Sequence, residues 1–273
     1  MRLAVSSDLH FDDRGHLTSG EAIERVARSL AAERPDMIVL AGDIGHGLDN
    51  IRGGITPFVG RAAQVAVVAG NHDVWRDKKR QLGSHELFER AIPELCADLG
   101  VTWLETTTLR HERVAVVGSM AWYDYSAIDP SQAHKASLAA TLKRQFNADA
   151  HQVDWAATDL EMASHLADRL MDRISLLERD PSIDTIAVVT HVPLLDEQMT
   201  RKPRDPHWSF SNAYFGHLTL GVRVAACPKV TLVVSGHTHG ARSAVRDRPG
   251  MRPLRSAVIG SDYGAPVGEV FEV

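Results

Sequence analysis

Short apolar runs alternate with amphipathic stretches, and this alternation constrains the fold more than any other feature of the chain. The runs "RLAVSS", "MIVLAG" and "VAVVAG" are each followed by a helical pattern, near 20–34, 51–63 and 84–99. We expect a capping box formed by Thr18 and Glu21 to start the first helix. This β-α order is typical of a parallel sheet covered by helices on both faces. Taken alone, it predicts a single doubly wound α/β sheet.

The second half of the chain continues the pattern with longer interruptions. A hairpin is expected to turn near His111 and Glu112, and a helical pattern covers about 136–179. The apolar runs "DTIAVVT" and "VTLVVSG" are typical of buried strands, and two or three more strands are expected between 242 and 273. No change of composition marks a boundary, so we expect one domain over 1–273.

Residue types that bind metal ions follow five of the predicted strands. They are Asp8 and His10, Asp43, Asn71 with His72 and Asp73, His191, and His237 with His239. In open α/β sheets, ligands bind in the crevice beyond the carboxyl ends of the strands. We therefore expect these side chains to converge there.

The types of side chain narrow the chemistry. The set offers imidazole, carboxylate and one amide but no thiolate, which suits Mn, Fe, Zn or Ni, with manganese as the first candidate. Seven ligands exceed the four of a tetrahedral site, which indicates two ions; if Asp43 bridges them, each ion receives four protein ligands. Paired ions can clamp the attacking and leaving oxygens of an in-line displacement. The prediction is phosphoester hydrolysis by in-line attack of a hydroxide that bridges the two metals.

The order of these short blocks resembles the signature of the calcineurin-like metallophosphoesterase superfamily. The blocks are "DLH" at 8–10, "GD" at 42–43, "GNHD" at 70–73, "TH" at 190–191 and "GHTH" at 236–239. The resemblance implies a four-layer αββα sandwich of two mixed β-sheets flanked by helices, with the metal site at the carboxyl ends of strands.

The resemblance also implies a role for each residue. It places one metal ion on Asp8, His10, Asp43 and His239, and the other on Asp43, Asn71, His191 and His237. His72 is implied to contact the phosphate and to be a candidate acid for the leaving oxygen. We expect Asp73 or Asp43 to orient the His72 ring, with a turn cap as the alternative role for Asp73.

Substrate contacts are predicted from basic and aromatic residues in the loops near these ligands. The candidates are Trp75, Arg76, Trp122, Tyr123, Arg201, Arg204, Trp208 and Arg242. The alternative is that the charges form solvated faces and the aromatics fill the core. The segments 119–153 and 196–217 are the candidate caps that select the substrate.

Composition limits the partners. The net charge of -5 and the pI near 6.3 do not make the whole surface a binding site for nucleic acid or anionic membrane. The two cysteines form no CxxC pair, no apolar run is long enough to span a bilayer, and a strand pattern begins at residue 2. We therefore expect a cytoplasmic enzyme.

Three functions stay open from the sequence. The first is a phosphomonoesterase or phosphodiesterase on a small soluble phosphoester, with nucleotides among the candidates. The second is a single-strand nuclease of the same superfamily, although nucleic acid is the less favoured partner. The third is a non-catalytic metal-binding scaffold for protein partners. The oligomeric state is left open.

Overall fold

Two mixed β-sheets packed face to face form the centre of the protein. A computed structural model describes residues 1–14 and 16–273. Among the described residues, the first sheet has five strands and the second has six. The four-layer sandwich implied by the resemblance is confirmed, and the single sheet predicted from periodicity is wrong. Apolar alternation reveals strands but does not assign them to a sheet.

The strands lie close to their predicted positions. Those of the first sheet are β1 (Arg2–Ser6), β2 (Met37–Ala41), β3 (Gln64–Val68), β4 (Thr102–Trp103) and β11 (Gly268–Glu272). Those of the second are β5 (Leu109–His111), β6 (Val114–Ser119), β7 (Thr185–Thr190), β8 (Val230–Ser235), β9 (Arg242–Arg246) and β10 (Leu254–Val258). The first sheet has the strand order β11-β1-β2-β3-β4, and the second has the order β5-β6-β7-β8-β10-β9. β11, β5 and β9 run antiparallel to their neighbours at sheet edges, and the other pairs are parallel.

The helices are shorter than the sequence pattern predicts. They are α1 (Gly20–Ala32), α2 (Leu48–Ile55), α3 (Ser84–Glu86), α4 (Ile92–Asp98), α5 (Ala139–Phe146), α6 (Asp149–Gln152), α7 (Asp159–Arg179), α8 (Pro206–Ser211) and α9 (Leu218–Ala225). A π-helical turn at Leu87–Ala91 joins α3 to α4. The pattern predicted over 136–179 is therefore three helices rather than one.

The start of α1 differs from the predicted capping box. Ser19 is the N-cap, and its side chain accepts a hydrogen bond from the backbone N–H of Ala22. Thr18 is fully buried, and its hydroxyl accepts from the backbone N–H of Gly264. A complete capping box occurs instead at Thr158 and Glu161, at the start of α7.

Alternating side chains of the strands fill three apolar layers. Leu3 and Val5 of β1 point into the layer between the two sheets, where they belong to one cluster with Val116 of β6. Ala4 points the other way, into the cluster that includes residues of α1 and α2. A third cluster lies between the second sheet and α7 and α9. The two sheets are thus held together by a buried interior, which fixes the relative position of their carboxyl edges. In the described residues, no helix has both the length and the apolar character needed to cross a membrane.

Candidate metal centre

The seven candidate ligands meet at the carboxyl edge shared by the two sheets. Asp8 and His10 follow β1, Asp43 follows β2, Asn71 follows β3, His191 follows β7, and His237 and His239 follow β8. Carboxylate and imidazole side chains of these loops, together with His72, form three clusters in which the ligand atoms lie close together. The metal site predicted at the strand ends therefore has side chains positioned to bind metal.

Five of these residues adopt the left-handed backbone conformation, which is uncommon outside glycine. They are Asp8 (φ 53°), His10 (φ 43°), Asp43 (φ 52°), His237 (φ 69°) and His239 (φ 56°). Such residues are strained by roughly 1 to 3 kcal/mol each and cluster at functional sites. This backbone conformation turns each side chain sharply away from its strand and into the crevice.

Glycines let the ligand loops approach one another closely. A Cβ atom on Gly70 would lie 2.1 Å from Oδ1 of Asp43, and one on Gly236 would lie 2.4 Å from Oδ2 of Asp8. Both distances are far below van der Waals contact. Only glycine at these positions leaves room for the neighbouring carboxylates.

One group of ligand atoms is formed by Asp8 and His10, which follow β1, and by His239, which follows β8. His10 Nε2 lies 3.2 Å from His239 Nε2 and 3.7 Å from Asp43 Oδ2. His239 Nε2 lies 3.4 Å from Asp8 Oδ1. Atoms bound about 2 Å from a single ion lie roughly 3 to 3.5 Å apart. These spacings fit one metal ion.

A second group surrounds His191. Its Nε2 lies 3.4 Å from Asp43 Oδ1, 3.1 Å from Asn71 Oδ1 and 3.1 Å from His237 Nδ1. Asp43 thus faces the first group through Oδ2 and the second through Oδ1. This is the arrangement that a bridging carboxylate needs.

The hydrogen bonds behind the two histidines decide which ring nitrogen faces the centre. His191 Nδ1 lies 2.9 Å from the carbonyl oxygen of Ala41, and His237 Nε2 lies 3.1 Å from that of Tyr214. A carbonyl oxygen only accepts, so each of these nitrogens carries its hydrogen. In the neutral rings, the lone pairs of His191 Nε2 and His237 Nδ1 then face each other. This arrangement becomes favourable when a cation binds between the two nitrogens.

The protonation of the site without metal leads to the same conclusion. Burial opposes a charge on His191, but Asp43 outweighs it and raises the pKa of His191 to about 10. Burial also opposes ionisation of Asp43, yet His191 and His72 hold its pKa well below the usual range. Carboxylate and imidazole acceptor atoms thus converge at a point where positive charge is favourable. The donor set therefore fits two divalent cations.

His72 lies beside the two groups. Its Nε2 is 3.9 Å from Asp43 Oδ2, and its backbone N–H donates to Asp43 Oδ1 at 2.9 Å. The ring stacks on Trp75 with centroids 3.8 Å apart. Trp75, rather than Asp73, thus packs against the face of this imidazole.

Asp73 has the alternative role that the sequence left open. Its carboxylate accepts hydrogen bonds from the backbone N–H groups of Ile44, Gly45 and Gly70. Burial, and then the charge of Asp43, raise the pKa of Asp73 to about 7. Asp73 ties the loop after β2 to the loop after β3.

A cavity of about 550 Å³ opens beside His10 and His72. Its walls include residues within 46–50 and the basic residues Lys78, Lys79 and Arg80. Lys79 and Arg80 form ion pairs with Asp49. The described residues of the candidate cap segments do not line this cavity.

The predicted substrate residues are placed in three kinds of surroundings. Trp122 and Tyr123 are fully buried, so their rings belong to the core and do not face a substrate. Arg76 and Arg201 donate to backbone carbonyl groups, and Arg201 also pairs with Asp196. Arg204 and Arg242 are exposed, whereas Trp75 and Trp208 are half-buried, as Arg76 and Arg201 are.

Three residues near the site were not predicted from the sequence. Tyr263 is 49% exposed, and its ring centroid lies 4.5 Å from that of His10. Glu105 is buried and accepts from the backbone N–H groups of Ala69 and Met120. Asp149 is buried and accepts from Asn71. None of the three belongs to a short sequence block, and the only signal that could have located one of them is the glycine-flanked segment "GSDYG" around Tyr263.

Comparison with known proteins gives the same architecture. The family model described as calcineurin-like phosphoesterase matches residues 1–241. A protein of Mycobacterium tuberculosis, the acyl-carrier-protein phosphodiesterase PptH, is 30% identical over 148 residues, which are 51% of this chain and 43% of that protein. The aligned region thus spans less than half of that relative.

Solved structures agree over nearly the whole chain. The crystal structure of phosphopantetheinyl hydrolase (PptH) from Mycobacterium tuberculosis superposes with a TM-score of 0.71 at 21% identity, covering 96% of this chain and 89% of that one. A dimetal phosphatase from Danio rerio gives a TM-score of 0.52 at 13% identity, covering 94% and 86%. At these identities the likeness concerns the fold.

Proposed function

Because the chain belongs to the calcineurin-like phosphoesterase family, we propose that it is a dinuclear-metal phosphoester hydrolase. The observation that carries this proposal is the meeting of seven ligand side chains from five strand ends around Asp43. Oδ2 and Oδ1 of Asp43 face two separate groups of ligand atoms. A non-catalytic metal-binding scaffold would need the ligands but not a histidine on the cavity wall beside them, as His72 is.

The metal ions belong to the proposal as well. Asp8, His10 and His239 hold one, Asn71, His191 and His237 hold the other, and Asp43 bridges them. Two bound divalent ions supply Lewis-acid activation of water and charge stabilisation at the phosphoryl oxygens. Manganese remains the first candidate, before Fe, Zn and Ni, because the ligands combine oxygen and imidazole without thiolate.

His72 supplies the proton for the leaving oxygen. It lines the open cavity, and its ring orientation is fixed by the stack on Trp75. A positioned histidine that protonates the leaving group contributes roughly 10²- to 10⁴-fold to the rate. Asp43 keeps the backbone of His72 in place by accepting its N–H.

The substrate is a phosphodiester on a carrier protein in this proposal. The relative's name, acyl-carrier-protein phosphodiesterase, supports a phosphodiester attached to a carrier protein. A cavity that opens beside His72 suits such a substrate, which cannot be enclosed. The small soluble phosphoester expected from the sequence becomes the second choice.

Little favours the nuclease. Many basic side chains near the site are already paired, such as Arg80 with Asp49 and Arg246 with Glu197. The buried Trp122 and Tyr123 cannot stack on bases.

The segments 119–153 and 196–217 act together as one structural cap in this proposal. Tyr214 donates its hydroxyl to the carbonyl oxygen of Ala139, and Phe146 packs on Phe210 with centroids 4.6 Å apart. The cap supports the ligands, because Asp149 accepts a hydrogen bond from Asn71 and the carbonyl oxygen of Tyr214 accepts one from His237. We place the enzyme in the cytoplasm, because Cys96 and Cys227 are free thiols, which are typical of reducing compartments.

Hydrolysis assays test the proposal. Bis(p-nitrophenyl) phosphate, p-nitrophenyl phosphate and a phosphopantetheinylated carrier protein are each incubated with the wild type, Asp43→Asn and the matched control Asp247→Asn, with manganese added or chelated. We expect manganese-dependent release from the two diesters by the wild type and the control, and none by Asp43→Asn. Equal inactivity of all three proteins with manganese, iron, zinc and nickel contradicts the proposal.

A further inference from the structure

Asp149 is a buried carboxylate that is not itself a candidate metal ligand but accepts a hydrogen bond from one, Asn71. It lies at the start of α6, within the segment 119–153, and is 1% exposed. Its Oδ1 accepts from Asn71 Nδ2 at 2.9 Å and from Trp75 Nε1 at 2.7 Å. Its Oδ2 accepts from the hydroxyl of Tyr123 at 3.1 Å. Three donors from two segments therefore meet on one side chain.

The contact with Asn71 has a chemical consequence. A carboxylate only accepts hydrogen bonds, so the group of Asn71 that faces Asp149 must be its NH₂. The amide oxygen is then left on the opposite side, 3.1 Å from Nε2 of His191. Turned by 180°, the amide would present its NH₂ to a metal ion and its oxygen to a carboxylate. Asp149 thus selects the only orientation in which Asn71 can be a ligand.

The contact with Trp75 extends the same control to His72. Trp75 Nε1 is held by Asp149, and the indole ring stacks on the imidazole of His72. His72 lies on the cavity wall, whereas Asp149 is behind it. The carboxylate of Asp149 therefore holds both the candidate ligand Asn71 and Trp75, on which the ring of His72 stacks.

We propose that Asp149 is a positioning residue that orients Asn71 as a ligand and, through Trp75, fixes the ring of His72. The inference rests on the proposed dinuclear metal centre. It assigns to segment 119–153 a task in assembling the centre rather than in contacting the substrate.

A purely structural role for Asp149 would give a different result, and the chain offers a matched control. Asp159 is a second largely buried carboxylate, and it accepts from Trp122 Nε1, from the Tyr125 hydroxyl and from Lys143. It therefore has the same types of aromatic donor as Asp149. None of its described hydrogen-bond partners is a candidate metal ligand.

The experiment compares wild type, Asp149→Asn and Asp159→Asn. Manganese is titrated into each chelator-treated protein by calorimetry, and thermal unfolding is followed with and without manganese. The values of kcat and KM are measured on bis(p-nitrophenyl) phosphate and on the phosphopantetheinylated carrier protein, whose leaving group needs the proton of His72. Substitution of residues that orient metal ligands lowers affinity by roughly 10- to 100-fold. We expect this loss for one of the two ions in Asp149→Asn, with kcat reduced and KM little changed. Asp159→Asn is expected to lose thermal stability but to bind both ions like the wild type.

Two results overturn the inference. One is equal manganese affinity and kcat in Asp149→Asn and the wild type, and the other is an equal loss of affinity in both variants. A wild type that binds no metal refutes the proposed centre itself, which separates the two failures. Should Asp149→Asn not fold, Asp149→Ser replaces it in the same titration, with the same loss expected.

Discussion

The amide oxygen of Asn71 lies 3.1 Å from Nε2 of His191, and neither atom is free to turn elsewhere. The amide is held from behind by Asp149, and the imidazole by the carbonyl oxygen of Ala41. The two residues follow strands of different sheets, so the contact joins the carboxyl edges of the two sheets. A ligand pair locked in this way is already oriented before a metal ion arrives.

Exchanging the amide of Asn71 and the carboxylate of Asp149 between the two positions tests this mutual orientation. Asn71→Asp alone places two buried carboxylates in contact, so we expect loss of stability and of manganese affinity. The double variant Asn71→Asp/Asp149→Asn restores one carboxylate and one amide, and it should recover both properties in part. Urea unfolding and calorimetry on the four proteins of the cycle measure the coupling, expected at about 1 to 3 kcal/mol.

Additive losses in the two single variants, without recovery in the double variant, would contradict this relationship. A metal-free series shows whether the recovery belongs to the hydrogen bond or to the bound ion.

Gly70 is expected to tolerate no side chain. The Cβ of Gly70→Ala would lie 2.1 Å from Oδ1 and 2.2 Å from the backbone nitrogen of Asp43, so the bridging carboxylate must move. A displacement of about 1 Å at a reacting centre lowers rates by roughly 10²-fold. Turnover of bis(p-nitrophenyl) phosphate should fall by at least that factor, with weaker manganese binding.

Gly20→Ala is the matched control, because the new Cβ would meet only Phe11, at an ordinary 3.7 Å. Full activity in Gly70→Ala would show that the loop after β3 can move away from Asp43 without consequence.

The loss of activity in His72→Ala should depend on the leaving group. A p-nitrophenolate ion leaves without a proton, whereas an alkoxide leaving group, as expected for the carrier-protein diester, needs one. We expect a fall of about 10²- to 10⁴-fold on the carrier-protein diester and a much smaller one on bis(p-nitrophenyl) phosphate. His46→Ala removes another imidazole from the cavity wall and should affect both substrates alike. The same factor for both substrates in His72→Ala would remove His72 from the role of acid.

The sequence predicted the candidate ligands because their positions are set by local rules. A strand ends, the chain turns, and the side chain after the turn lies at the carboxyl edge, so Asp8, Asp43 and His191 could be located without knowing the fold. The turns themselves are strained at Asp8 and Asp43, which local propensity does not predict.

The remaining features depend on contacts between distant segments. Asp149 is separated from Asn71 by 78 residues, and no short motif links them. Trp122 and Tyr123 look like binding aromatics in sequence, yet packing against α7 and the cap buries them. The shift of the first helix cap from Thr18 to Ser19 has the same origin, since Gly264 donates to the Thr18 hydroxyl.

Glu105 should make the stability of the fold depend on pH. It is 2% exposed beyond β4, and burial raises its pKa from the ordinary 4.5 to about 7, although Arg173 opposes this. The folded protein therefore retains a proton on Glu105 that the unfolded chain loses between pH 4.5 and pH 7. Stability from this residue is fully present below pH 4.5 and is lost as pH rises through 7. Over that window the loss amounts to roughly 3 kcal/mol, at about 1.4 kcal/mol for each unit between the two pKa values.

In Glu105→Gln, a neutral amide keeps the side chain uncharged at every pH. The free energy of unfolding of the wild type should therefore fall relative to that of Glu105→Gln between pH 5 and pH 8, as measured by urea titration of the two chelator-treated proteins. Groups of the metal centre titrate equally in both proteins and cancel in the difference. Glu21→Gln, at an exposed carboxylate, should leave the pH profile of the wild type unchanged. Parallel profiles for wild type and Glu105→Gln would mean that Glu105 is already ionised in the folded protein, with Arg173 compensating its burial.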